Sequence, residues 1–137
     1  MDFEITVEEI DKLVNQVNQA IGEVNDVVVR RELEFMKARL ADMRVALLEL
    51  ENVEDKYLRG DVTTDNYFDR RKKLVRDFFI ARDQILDTVV PNVTERASSS
   101  EVKGQLIKFK ELLKDNKKFI DAGIDFVLTV VKSFIVH

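Results

Sequence analysis

The sequence predicts an all-α fold: one elongated bundle of three or four long helices with coiled-coil-like packing, a single domain over residues 1–137. Three observations predict it. Apolar residues recur three and four apart through four long segments, which keeps one side of a helix apolar, whereas a strand needs a period of two. Pro occurs once and Gly four times, too few to punctuate a multi-stranded sheet. Two capping boxes mark places where helices begin.

The first is Thr6-Val7-Glu8-Glu9. The Thr6 hydroxyl can accept from the Glu9 amide while the Glu9 carboxylate reaches back, and Ile5 can staple onto Ile10. A helix over about residues 7–26 follows, striped by Ile10, Val14, Val17, Ile21, Val24 and Val28. Near Asn25 and Asp26 the stripe loses phase. Val28 to Met36 spans eight residues where a heptad needs seven, which fits either a tight turn or one long helix with a skip in register.

The second helix, about 27–58, carries the clearest stripe: Leu33, Met36, Leu40, Met43, Leu47 and Leu50. Gly60 can take the left-handed conformation that ends it, and Thr63 restarts the chain as an N-cap with Val62 placed to staple onto Tyr67. The third helix, about 64–90, uses Tyr67, Leu74, Phe78, Ile85 and Val89, and is expected to stop before Pro91, which disfavours helical geometry at Val90. Residues 91–98 read as a loop. Ser98 with Glu101 forms the second capping box, and a fourth helix runs over 99–136 through Val102, Leu106, Phe109, Leu113, Ile120, Ile124, Val127, Val131 and Phe134.

The turn Leu58-Arg59-Gly60-Asp61-Val62-Thr63, followed by Tyr67 and Arg70, resembles the Gly-x-Ile-Thr turn of short helical hairpins found at the ends of unrelated bacterial and archaeal proteins. The resemblance covers about 20 residues and lacks the acidic run that follows the Thr in those hairpins. It implies a shared turn geometry and no function. All-helical nucleotide pyrophosphatases carry Glu-x-x-Glu and later Glu-x-x-Asp. Glu51-Asn52-Val53-Glu54 supplies the first half, and nothing supplies the second.

Composition narrows the function classes. Hydrophobic residues make up 45% and charged residues 35%, the balance of a soluble helical protein. There is no Cys, so there are no disulfides and no thiolate metal ligands. The acidic start Met1-Asp2-Phe3-Glu4 has no basic and apolar regions of a signal peptide, and a cytoplasmic location is expected. Residues 1–55 hold 6 Lys/Arg against 14 Asp/Glu, net −8, and residues 56–137 hold 16 against 12, net +4. Opposite signs suit halves that pack on each other or on a second copy.

The candidate sites are few. The only histidine, His137, is the last residue, an unsuitable place for a general base or a metal ligand. No Glu-x-x-His pair, Gly-x-x-x-x-Gly-Lys or Gly-x-Gly-x-x-Gly is present, so no metal site, no cofactor and no catalytic residue is expected. An enzyme would have only carboxylates, Lys, Arg and Tyr to use. Arg70, Arg71, Lys72, Lys73 and Arg76 are the candidate phosphate-binding cluster, opposed by Asp65, Asp69 and Asp77. The stretch from Phe119 to Val136 has a wide apolar face and a thin polar stripe of Asp121, Asp125, Thr129 and Lys132. Such a helix is either central or an interface, and Phe126, Val127, Val130 and Phe134 are the candidate contact residues. Its longest charge-free run before the end, Phe126 to Val131, is too short to span a membrane. Asn116 falls on the apolar seam, as a buried register-setting group or where the seam drifts.

The function expected is a non-catalytic protein-protein interaction or assembly module, a helical scaffold that forms a homo-oligomer or meets a partner protein. The alternative is a nucleic-acid-binding accessory or regulatory protein using the basic start of the third helix.

Overall fold

The computed structural model describes residues 3–135, and every regular element among them is helical. Five helical rods result, where three or four were expected: α1 (Val7–Glu23), α2 (Val27–Leu58), α3 (Thr64–Gln84) continuing through a π-helical turn (Ile85–Val89) into α4 (Val90–Arg96), α5 (Ser100–Leu113) and α6 (Asn116–Phe134).

Local chemistry sets most of the boundaries. Thr6 and Glu9 form the expected box at the start of α1, with Glu9 N–H donating to Thr6 Oγ1 at 3.1 Å and Thr6 N–H to Glu9 Oε1 at 3.0 Å. The open question after α1 resolves as a turn. Val24 is extended, and Asp26 caps α2 by accepting from the N–H groups of Val28 and Val29. Asp26 also accepts from Arg96 at 2.7 Å, which ties the α1–α2 turn to the end of α4. Burial acts to raise the Asp26 pKa, but Arg96 and the two cap amides outweigh it and hold the carboxyl below its usual value. Gly60, at φ 78°, ends α2 in a Schellman turn: Asp61 N–H donates to Lys56 C=O and Gly60 N–H to Tyr57 C=O. Thr63 then caps α3 through Asn66 N–H.

Two expectations are corrected in the second half. The helix does not stop before Pro91. Proline lacks the N–H that would donate to Asp87, and its ring would crowd that carbonyl. The π turn just ahead, where Val90 N–H donates to Ile85 C=O, widens the backbone and lets the helix pass through Pro91 to Arg96. The loop shrinks accordingly, and the cap of α5 is Ser99, one residue beyond the expected Ser98, accepting from Val102 N–H. The fourth helix is also not continuous. It breaks at Lys114 and Asp115, where Asp115 caps α6 through Lys117 N–H. Arg82 holds the break open, donating to Lys114 C=O at 2.9 Å and to Asn116 Oδ1 at 3.1 Å while stacking on Phe79. Asn116 is therefore neither a buried register group nor a point of drift within one helix. It is the first residue of a new one.

The rods close a ring. α2 packs against α1 on one side and against α3 and α4 on the other, α5 lies on α4, and α6 bridges α5 back to α1. Leu33, Met36, Leu40, Met43, Leu47 and Leu50 are all buried, as the stripe on α2 requires. On α1 the buried seam is Ile10, Leu13, Val17, Ala20 and Val24, whereas Val14 and Ile21 are half-buried and Val28 is exposed. A strap before α1, bent at Glu4 (φ 60°), covers α3, with the Phe3 ring 4.6 Å from that of Phe78 and 5.8 Å from that of Phe79.

α6 reaches the core through one close approach. A Cβ on Gly123 would stand 2.7 Å from Leu13 Cδ2, so any larger residue there would require the Leu13 side chain or α6 to shift.

Candidate functional site

The expected contact face of α6 points inward. Phe126, Val127 and Val130 are 0%, 1% and 0% exposed, buried between α1 and α5, and they serve the chain's own core in place of a partner. Phe134 is half-buried against that core, and its carbonyl accepts from Asn25 N–H. The physical reason is the ring closure: a helix flanked by two neighbours, with the strap nearby, hides a wide apolar face without a second copy.

What α6 shows outward is different. Leu128 is 52% exposed, and Ile135 is exposed one heptad later. With Val131 they line a hollow of about 580 Å³ on the surface of α6 itself, and a second hollow of about 600 Å³, which shares Thr129 and Lys132 with the first, lies between α6 and Val102, Phe109 and Leu112 of α5. The polar rim consists of Lys108, Lys132 and Asp125, with Gln105, Thr129 and Ser133. Sequence reasoning missed this groove, although a signal existed. Asp121, Asp125, Leu128, Lys132 and Ile135 share one stripe of α6 at spacings of four and three, so two large apolar residues interrupt the polar side.

The basic cluster is scattered and largely occupied. Arg70 and Lys73 line a groove of about 500 Å³ between α2 and α3 together with Arg39, Asp42, Glu49 and Asp77. Each of those cations has a carboxylate partner: Arg70 with Glu49 at 2.9 Å, Lys73 with Asp77 at 3.0 Å and Arg39 with Asp42 at 3.1 Å. A phosphate there would displace carboxylates from a locally neutral groove. Arg71, Lys72 and Arg76 lie elsewhere on the same helix and do not join that groove. Glu51 is exposed and Glu54 half-buried at the far end of α2, with no facing acidic pair.

That far end is a second unusual surface. From Glu51 to Lys73 no residue is buried, so the end of α2 and the start of α3 form a two-helix arm beyond the core. The rings of Tyr57 and Tyr67 stack at 4.2 Å across it, and Leu58 and Phe68 are 83% and 58% exposed.

Among the described residues no three His, Cys, Asp or Glu are grouped to hold a metal ion, and no helix is long and apolar enough to cross a membrane. His137 lies outside the described residues. No protein-family model, curated protein or solved structure matches this chain.

Proposed function

We propose that this chain is a non-catalytic helical scaffold that binds a partner protein in the groove between α5 and α6. The observation that carries the reading is the apolar surface there: Val102, Phe109 and Leu112 line the hollow between α5 and α6, and the exposed Leu128 and Ile135 line the adjoining hollow on α6. Concave apolar surface between two helices suits an inserted amphipathic helix, whose side chains at three-and-four spacing fill successive hollows. Lys108 and Lys132 against the single Asp125 favour a partner helix with an acidic flank. Nothing in the placement of Arg70, Arg71, Lys72, Lys73 and Arg76 favours the nucleic-acid reading, because two of the five are already paired with carboxylates and the rest spread over other faces.

The test is photo-crosslinking in the source cell with a reactive residue at position 128, and at exposed Asp121 as the control. A discrete adduct at 128, absent at 121 and lost when Leu112→Asp with Ile135→Asp is added, supports the reading. Equal adducts at both positions, or none, overturn it.

A further inference from the structure

We infer that the break between α5 and α6 is a hinge through which two copies of this chain exchange α6: residues 100–134 straighten into one helix, and the α6 of each copy takes the place of the other's on α1 and α5.

The break is slight and is held largely from outside the segment. Lys114 keeps helical angles (φ −72°, ψ −22°), and Asp115 alone at the break is extended (φ −93°, ψ 115°). Neither glycine nor proline, the usual residues at a helix end, stands there. The apolar stripe crosses the break in phase, since Leu106, Phe109, Leu113, Ile120, Ile124 and Val127 advance by three, four or seven with no skip. Lys118 N–H, which in a continuous helix would donate to Lys114 C=O, donates to Asp115 C=O at 3.0 Å. Arg82 of α3 supplies the missing donor to Lys114 C=O at 2.9 Å and holds Asn116 Oδ1 at 3.1 Å, its guanidinium placed by stacking on Phe79. Asp115 adds its cap on Lys117 N–H at 2.9 Å.

Exchange keeps nearly everything else. α6 is the last helix among the described residues and continues from α5 through Lys114 and Asp115. The two helices run antiparallel, with Val102 near Ser133 and the Phe109 ring 5.8 Å from that of Phe126. Two straightened helices set antiparallel across a two-fold axis at the hinge bring the same pairs together between copies. The seat of Gly123 against Leu13 and the bond from Asn25 N–H to Phe134 C=O are remade in the same way. A second copy is the partner because this seat is complementary to α6 residue by residue. The exchanged form loses the two bonds from Arg82 and the Asp115 cap and gains an unbroken helix, so those residues and the concentration set the balance.

The test is to refold an equal mixture of unlabelled and heavy-isotope-labelled chains from denaturant at about 500 μM and to separate the products by size-exclusion chromatography with light scattering. Zero-length carbodiimide cross-linking then reads the topology. Glu4 and Lys117, 3.7 Å apart, join the strap to α6, and Asp87 and Lys110, 3.6 Å apart, join the π turn to α5. In the exchanged dimer the Glu4–Lys117 links combine heavy and light chains, whereas the Asp87–Lys110 links never do. The wild type gives a minor dimer peak, and Asp115→Ala and Arg82→Gln each enlarge it several-fold. Asn116→Pro abolishes it, since proline suits the first position of α6 and interrupts a continuous helix. Should Arg82→Gln fail to fold, Asp115→Ala decides. A wholly monomeric Asp115→Ala overturns the inference, as does an undiminished dimer in Asn116→Pro or a dimer whose Glu4–Lys117 links stay within one chain.

Discussion

Gly123→Ala measures how tightly α6 is pressed onto α1. The added Cβ would lie 2.7 Å from Leu13 Cδ2 and 3.1 Å from Cδ1, whereas carbon atoms pack best at about 3.5 to 4.0 Å. Roughly 1 Å must therefore be found, and Leu13 is fully buried, so any swing of its side chain displaces core neighbours. Overpacking of this kind costs about 1 to 3 kcal/mol. The same substitution gains about 0.8 to 1 kcal/mol because alanine favours helix over glycine. The net expectation is a loss of up to about 2 kcal/mol. Gly104→Ala is the internal control, since it too sits within a helix but a Cβ there meets nothing within 4 Å. It should stabilise the protein by about 0.5 to 1 kcal/mol. Urea unfolding followed by far-UV circular dichroism gives both values. Leu13→Val in the Gly123→Ala background should couple favourably by at least about 0.5 kcal/mol, because the shorter side chain clears the new methyl. Equal stabilisation by the two alanine variants, or strict additivity in the double variant, would refute the close approach.

Leu47→Ala should cost about 2 to 5 kcal/mol and Leu48→Ala well under 1, since adjacent residues point to the core and to solvent; similar losses in chemical denaturation would mean the buried face of α2 is misassigned. Asp26→Ala should cost about 1 to 2 kcal/mol through loss of the α2 cap. Because the folded-state pKa of Asp26 is lowered, its contribution is present above the ordinary Asp value of about 3.9 and disappears as pH falls through the lower folded value. The stability gap between wild type and Asp26→Ala should therefore narrow only in that acidic window, and a gap that closes between pH 5 and 7 would contradict the pairing with Arg96.

Legibility followed how local the determinant is. The capping box at Thr6, the left-handed Gly60 and the Thr63 cap depend on a few neighbouring residues, and each lies where the sequence placed it. The α2 stripe was legible because the helix meets neighbours along one continuous side. Pro91 misled because the rule against helical geometry before proline holds for an α-helix, and the chain escapes it by a π turn. A trace of that escape is visible in the spacing: the buried Ile85, Val89 and Val93 advance by four at each step. On α-helical geometry such steps drift by about 40° each, and one wider turn reduces that drift.

The α6 reading failed for a reason that separates two kinds of information in one stripe. A wide apolar face states how much surface a helix must hide, and Phe126, Val127 and Val130 state it correctly. It does not state who hides it, because the covering residues come from α1 and α5, remote in sequence, and from a glycine whose role is to be absent. The informative residues for binding are then those that break the pattern. Leu128 and Ile135 on the polar side of α6, and Leu58 and Phe68 on the α2–α3 arm, keep much of their apolar surface in solvent. The apolar surface that they leave exposed can lower free energy further only by burial outside the chain. On the proposed reading, the contact surface lies at the periphery of this molecule, and its stripes serve the core.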